Sequence, residues 1–193
     1  MDLFTLNNVA ESNLNKKKII WIGIVTFSII TIIACSIFFY FLQKPSTLLA
    51  KDNSFTLTVP AKIRLIENQN SSDAYIMDFY AKKENLVLYA SKTEKKKEIN
   101  LSTILTREQE STSKALSNFT ITNSSIEISI PNVKTLAYSY SFHSQTINSD
   151  LLGYTALIES DKAIYCITFY QPTNTSLNLK EIAENILKTF VEK

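Results

Sequence analysis

The longest apolar run of the chain covers residues 19–42, a stretch of 24 residues without a charged side chain. At about 1.5 Å per residue, a helix of this length extends about 36 Å, which exceeds the roughly 30 Å hydrocarbon core of a bilayer. Trp21 and Tyr40 lie near its two ends, where aromatic rings suit the membrane interface. The pattern therefore predicts a transmembrane helix after an N-terminal tail of residues 1–18.

Charged residues beside this run predict its orientation. Lys16, Lys17 and Lys18 precede the run, whereas Lys44 and Lys51 follow it. Because basic residues are concentrated on the cytoplasmic side of membrane spans, we expect the tail to be cytoplasmic and the rest of the chain to be extracytoplasmic.

Cys35 allows a second interpretation of the same segment. Ile32, Ile33 and Ala34 with Cys35 resemble the lipobox of bacterial lipoproteins, in which the cysteine is acylated and becomes the first residue of the mature chain. However, six apolar residues follow Ser36, where a lipoprotein usually begins a polar tether. We therefore favour an uncleaved span in which Cys35 is a tolerated apolar position, with acylation as the alternative.

The chain beyond this span predicts a short tether, residues 43–53, and one domain, residues 54–193. Alternating or continuous apolar runs predict its strands, at about residues 55–59, 62–66, 74–80, 85–91, 120–130, 134–143, 151–159 and 163–170. The run 163–170 is apolar on both faces, whereas 134–143 has one apolar face. A strand buried on both faces requires a packed layer on each side of the sheet.

Apolar residues at helical spacing predict one helix within 100–119 and a second over 179–191. Asn178 and Glu181 form a capping-box pattern at the start of the second helix. The charged stretch 92–98, before the first helix, is predicted to be a solvated connector, with a basic contact to anionic polymers or lipids as the alternative.

The element order predicts an α+β fold with a predominantly antiparallel β-sheet covered by helices, an α/β/α sandwich. Three segments, FTLTVPAKI, AIYCITFYQP and LKEIAENILKTF, resemble the PsbP-like family, which includes a photosystem extrinsic protein and many bacterial surface lipoproteins. The resemblance covers about residues 52–191, with Ile63 where an aromatic residue is common. It implies a binding or accessory module without catalytic residues.

Composition excludes several functional classes. The formal net charge of +2 offers no basic field for nucleic acid. The chain has 2 glycines, so a glycine-rich phosphate loop is absent. With 1 histidine and 2 cysteines, a zinc site or a nucleophilic triad is not expected. We predict no catalytic, cofactor or metal site.

Aromatic residues are the richest feature of the domain. The candidate set for a ligand or partner cleft is Tyr138, Tyr140, Phe142, Tyr154, Tyr165 and Tyr170. Such residues also pack ordinary cores with their hydroxyl groups at the rim, which is the competing interpretation.

Together these patterns predict a single-pass cell-membrane protein that is not an enzyme. Its extracytoplasmic domain is expected to be a binding or scaffolding module, an accessory subunit of an envelope assembly. The expected partners are the lipid bilayer, through residues 19–42, and a protein of the envelope. The alternatives are a membrane-tethered enzyme and a lipid- or glycan-binding protein that uses an aromatic-lined cleft.

Overall fold

The computed structural model describes residues 27–38, 44–95 and 100–193. The chain divides into two units, Met1–Lys44 and Pro45–Lys193.

In the first unit, residues 27–38 form helix α1, in which every residue is exposed. Cys35 is a free, exposed cysteine of this helix. Within the described residues, no helix reaches the length and hydropathy that a membrane crossing needs. The rest of the predicted span, and Lys16, Lys17, Lys18, Trp21 and Tyr40, lie outside the described residues. Membrane anchoring therefore stays a prediction.

The second unit is an α+β domain. Its strands are β1 (Ser46–Leu49), β2 (Phe55–Val59), β3 (Ile66–Glu67), β4 (Met77–Ala81), β5 (Leu86–Glu94), β6 (Ser117–Glu127), β7 (Lys134–Ser144), β8 (Ser149–Glu159), β9 (Ala163–Pro172) and β10 (Val191–Glu192), and its helices are α2 (Leu101–Ala115) and α3 (Leu179–Leu187). One sheet has seven strands in the order β3-β4-β5-β9-β8-β7-β6, and the other has three in the order β1-β2-β10. Each of these strand pairs is antiparallel, which confirms the predicted pairing.

The large sheet lies between two layers. On one face, Leu101 and Leu105 of α2 pack against β7, β8 and β9. On the other face, α3 and the small sheet enclose the larger core cluster. Strand β9 is central in this sheet and contributes Ile164 to the first cluster and Tyr165 to the second. The prediction of an α+β domain with an antiparallel sheet between helices is confirmed.

The predicted tether is wrong in part, because four of its residues form β1. This strand pairs with β2 from Ser46 opposite Val59 to Leu49 opposite Thr56. Leu48 is buried, so the segment contributes to the domain core as well as to its sheet. The apolar pattern of β1 is too short to distinguish it from a connection.

The end of the last helix also differs from the prediction, which extended it to residue 191. Helix α3 ends at Leu187, and Thr189 Oγ1 donates to Ile186 O at 2.6 Å and accepts from Thr58 N at 2.7 Å. Phe190 then stacks on Phe55, with ring centroids 5.2 Å apart. This turn allows β10 to pair with β2.

Tertiary contacts, rather than local sequence, set two further boundaries of helices and strands. Helix α2 ends at Ala115 rather than near residue 119, and Ser117 already begins β6. Strand β5 extends to Glu94, into the predicted charged connector. Lys92 forms an ion pair with Asp52 at 2.9 Å, and Lys95 with Glu159 at 2.7 Å. Residues 96–99 of that connector lie outside the described residues.

Candidate functional site

Tyrosines from three strands converge on the sheet face that α2 covers in part. Residues directly opposite in antiparallel strands share a face of the sheet. Tyr89, Thr168, Thr155 and Tyr138 form one such row, from β5 across β9 and β8 to β7. Tyr170 and Tyr140 belong to the neighbouring row, on either side of Gly153.

Hydrogen bonds between hydroxyl groups connect Tyr89, Tyr170, Tyr140, Thr155 and Thr168, and Tyr138 bonds separately to Thr112. These residues together are here called the tyrosine network. The Tyr140 hydroxyl donates to the Tyr170 hydroxyl at 3.1 Å, and the Tyr89 hydroxyl lies 2.8 Å from that of Tyr170. The remaining links are Tyr140 to Thr155 at 3.2 Å, Thr155 to Thr168 at 3.0 Å, and Tyr138 to Thr112 of α2 at 3.0 Å. Each of the four phenol groups therefore has a hydrogen-bond partner inside the domain.

Burial keeps these phenols protonated. Burial raises the pKa of Tyr138 to about 12, although its hydrogen bond with Thr112 acts in the opposite direction. The pKa values of Tyr89, Tyr140 and Tyr170 are raised further, also mainly by burial. Groups with such pKa values are not general bases near neutral pH.

The neighbouring thiol is equally unreactive. Burial, followed by the charge of Glu108, raises the pKa of Cys166 to about 12. Since the thiolate is the nucleophilic form, this pKa argues against nucleophilic catalysis by Cys166.

The predicted aromatic set is divided between the two faces of the large sheet. Tyr138, Tyr140, Phe142 and Tyr170 lie on the α2 face, where the Phe142 and Tyr170 ring centroids are 5.1 Å apart. Tyr154 and Tyr165 lie on the opposite face. The six residues therefore cannot line one cleft.

On that opposite face, each phenol meets a carboxylate. The Tyr154 hydroxyl donates to Glu184 Oε1 at 3.3 Å, and the Tyr165 hydroxyl donates to Glu192 Oε1 at 2.9 Å. Burial, and then the Glu192 carboxylate, raise the pKa of Tyr165 to about 12. Its ring packs against Phe55 and Phe190. Tyr154 and Tyr165 are therefore part of the hydrophobic core.

The single histidine pairs with a carboxylate rather than a serine. His143 Nδ1 lies 2.8 Å from Asp150 Oδ1, and 71 % of the Asp150 side chain is exposed. Among the residues that the structure describes, no group of three potential metal ligands is present.

One apolar groove borders the tyrosine network at Tyr170. It has a volume of about 310 Å³ and is lined mainly by Tyr80, Val87, Ile147, Leu151, Tyr170 and Pro172. Tyr170 is the member of the predicted set that lines it. The sequence pattern gives little indication that the other lining residues form a groove. Ile147 lies in a polar turn, and Tyr80 lies on the polar side of β4.

The edge of the large sheet at β6 is open. This strand of 11 residues pairs with β7, and most of its residues are exposed. Its pairing has register shifts between Ser117 and Thr120 and on either side of Asn123. Gln109 of α2 donates to Ser124 O at 2.6 Å. Strand β6 is the longer of the two edge strands of the large sheet, since β3 has two residues.

Comparison with known proteins identifies the fold. No protein-family model matches the chain, and no curated protein matches its sequence. Among solved structures, the chain is similar to PsbP (CyanoP) of Synechocystis, with a TM-score of 0.57 and 9% identity over 78% of this chain and 94% of that chain. It is also similar to LpqN of Mycobacterium tuberculosis, a protein involved in cell envelope biogenesis, with a TM-score of 0.53 and 13% identity over 78% and 91%.

A third similar structure comes from Bacteroides thetaiotaomicron, with a TM-score of 0.52 and 10% identity over 78% of this chain. The chain spans 49% of that longer protein. These likenesses establish the fold alone, because their sequence identities are low. The domain has a PsbP-like fold, as the sequence resemblance predicted.

Proposed function

We propose that this PsbP-like domain is a non-catalytic module, held outside the cell membrane by residues 19–42, that binds a protein partner of the envelope. The observation that carries the proposal is the closed tyrosine network. Its phenols bond to one another and to threonines, and their raised pKa values remove them as bases. The domain thus offers surfaces for binding rather than a reaction centre.

Other ionisable groups support the same conclusion. A catalytic site needs an acid, a base or a nucleophile whose positions converge on one substrate atom. His143 and Asp150 are paired with each other at an exposed strand end, and burial disfavours the Cys166 thiolate. The apolar groove beside Tyr170 has Lys82 as its charged lining residue.

Strand β6 is the surface that we propose for the partner. An extended segment of a partner can add to an exposed sheet edge through backbone hydrogen bonds. Natural edges resist such pairing with lysines, prolines, short length or β-bulges. Strand β6 has 11 residues and neither lysine nor proline, so the register shifts in its pairing with β7 are the one such feature that it carries. Its hydroxyl-rich sequence, in which Glu127 is the one charged residue, fits a partner strand that is likewise mainly polar.

One of the similar structures supports an envelope role. LpqN, which has this fold, is involved in cell envelope biogenesis. We extend that envelope role to this chain, with β6 as the specific contact.

Site-specific photocrosslinking of the full chain tests the proposal. A photoreactive residue is placed at Thr120 or Ser125 of β6, both exposed, in the cells that naturally make the protein. We expect each position to crosslink to one protein, and the mapped sites to fall within one extended segment of that protein. The same residue at Asn185, which is exposed on α3, is the matched position and should not form that crosslink.

A second experiment adds a positive charge to the β6 edge. Thr120→Lys should abolish the crosslink from position 125, because a lysine on an edge strand opposes strand addition. Asn185→Lys adds the same charge elsewhere and should leave the crosslink unchanged. Absence of a crosslink from β6, or its survival in Thr120→Lys, would overturn the β6 assignment.

A further inference from the structure

Four basic side chains gather at one end of the domain, here called the basic end. Lys62 and Arg64 follow β2, and Lys82 and Lys83 form the turn between β4 and β5. They line two adjoining cavities of about 610 and 440 Å³ that share Lys62, Lys83 and Glu84. All four are exposed, and none forms an ion pair with a described carboxylate.

Negative charge at this end is smaller. Glu84 is half-buried, and one of its carboxylate oxygens is buried without a hydrogen-bond partner. Glu67 lies on β3, beside Ile66. Lys62, Arg64, Lys82 and Lys83 against these two carboxylates leave a positive balance, which favours an anionic ligand.

Exposed apolar side chains surround the basic end. Ile66 is 53% exposed, Tyr80 is 40% exposed and Ile147 is 57% exposed. Ile66 lines a cavity with Lys82, and Tyr80 and Ile147 line the apolar groove with the same lysine. Basic residues next to exposed aliphatic and aromatic residues are typical of surfaces that lie at the interface of a bilayer.

The chain enters the domain at the same end. Ser46, the first residue of β1, lies opposite Val59, the last residue of β2. Pro60 accepts a hydrogen bond from Ile63 N in the turn that immediately follows, which places Lys62 close to that end of β2. The other end of the small sheet, at Phe55, pairs with Glu192.

The connection to the proposed span is short. If residues 19–42 cross the membrane, four residue steps separate Leu42 from Ser46. A fully extended chain of that length reaches about 14 Å at most. The number of residues between the proposed span and β1 therefore limits the distance from the headgroups to the entry point of the domain, and the basic end is beside that entry point.

We propose that the basic end docks on anionic phospholipid headgroups of the bilayer that anchors the chain, with Ile66, Tyr80 and Ile147 at the interface. This inference rests on the proposed membrane anchor and adds a second contact to it. Each basic residue near an anionic surface strengthens association about fivefold. Docking would restrict the orientation of the domain at the membrane surface.

Fluorescence quenching by brominated lipids tests the docking on the full chain in vesicles. Trp21→Phe removes the single native tryptophan, and Ile147→Trp places a new one beside the basic end. Phosphatidylcholine vesicles with phosphatidylglycerol should quench Trp at position 147, and phosphatidylcholine alone should quench it markedly less. Lys162→Trp, in the β8–β9 turn at the opposite end of the sheet, is the matched probe and should stay unquenched.

Charge reversal identifies the ligand. Lys62→Glu, Arg64→Glu, Lys82→Glu and Lys83→Glu together should abolish the quenching. The same number of reversals at Lys114, Lys134, Lys162 and Lys188, which are exposed on other parts of the domain, should preserve it. Equal quenching in both lipid mixtures, or quenching that survives reversal of the basic end, would overturn the assignment to anionic headgroups.

Alkaline carbonate extraction separates this proposal from the anchor on which it rests. A chain that stays in the membrane pellet but shows no quenching at position 147 is anchored without docking, and the docking inference is then wrong. A chain that carbonate releases lacks the proposed span, which overturns the proposed function itself. Quenching that an acidic protein or a soluble anionic polymer competes away at low salt would likewise reject lipid as the ligand.

Discussion

Gly153 shows how one missing side chain shapes the tyrosine network. It lies opposite Tyr140 in the register of β7 and β8. A Cβ atom built on Gly153 would lie 2.3 Å from Cε2 and Cζ of the Tyr140 ring. The glycine therefore provides space for the ring over the neighbouring strand, and its φ angle is not positive. The close approach of the Tyr140 ring, rather than the backbone freedom of glycine, explains why position 153 is a glycine.

Gly153→Ala should lower the free energy of unfolding by about 1–3 kcal/mol, since a methyl group overpacks this site. Urea unfolding measures the change, with Ser141→Ala as the control. Ser141 is half-buried on the opposite face of β7, and its replacement should change the free energy by less than about 0.5 kcal/mol. In a Tyr140→Leu background, the cost of Gly153→Ala should fall by at least half; an unchanged cost would exclude the ring as its cause.

At the scale of single elements, α3 is the helix whose N-cap the sequence predicted. Asn178 is its N-cap, and its side chain accepts a hydrogen bond from Glu181 N at 3.3 Å. Its apolar stripe is buried through Leu179, Ala183, Ile186 and Leu187. Helix α2 starts in the same way, with Ser102 N donating to Asn100 Oδ1 at 3.0 Å, but buries only Leu101 and Leu105.

Asn178→Ala should lower the free energy of unfolding by about 1 kcal/mol, because it removes the side-chain acceptor of the helix N-terminus. Asn185→Ala is the matched control, since it replaces an exposed asparagine within the same helix by a better helix former. Urea midpoints of the two variants give the comparison. Equal losses of stability would show that Asn178 does not act through capping.

At the scale of the whole molecule, buried phenols on both sides of the large sheet couple folding to alkaline pH. Tyr138 lies on the α2 face and Tyr165 on the α3 face, and the pKa of each is raised to about 12. An unfolded tyrosine has a pKa of about 10. Between these values the unfolded chain binds fewer protons than the folded chain, so stability decreases as pH rises.

Stability should therefore be constant with respect to these two groups below about pH 9 and should fall between about pH 10 and pH 12. Urea midpoints across this range, with tyrosinate absorbance recorded in parallel, provide the measurement. Tyr138→Phe should make the fall shallower, because it removes one of the linked protons. Phe142→Leu perturbs the same α2-face cluster without removing a phenol and should leave the slope unchanged. A rise in tyrosinate absorbance near pH 10 that the folded wild type shows and folded Tyr138→Phe lacks would contradict the burial argument, because Tyr138 would then ionise without unfolding.

How much of the domain follows from sequence differs between elements. Alternating or continuous apolar runs predicted β2, the β4–β5 hairpin and the strands β7, β8 and β9, because each of these strands has at least one apolar face that packs in a core layer. Strands β1 and β10 were not predicted, because segments of four and two residues are too short to show an alternating apolar pattern. Their pairing partner, β2, is distant in sequence from β10, so only the fold brings them together.

The same distinction between local pattern and long-range contact applies to the candidate sites. Sequence alone determined the element types, the antiparallel sheet between helices, the helix caps and the abundance of aromatic residues, because periodicity and capping act over a few neighbouring residues. Tertiary structure alone decided that Tyr154 and Tyr165 lie on the face opposite Tyr138 and Tyr140, that Gly153 accommodates a ring, and that Lys62 and Arg64 join Lys82 and Lys83. Those relations depend on strand register and on contacts between segments far apart in the chain, which no local pattern encodes.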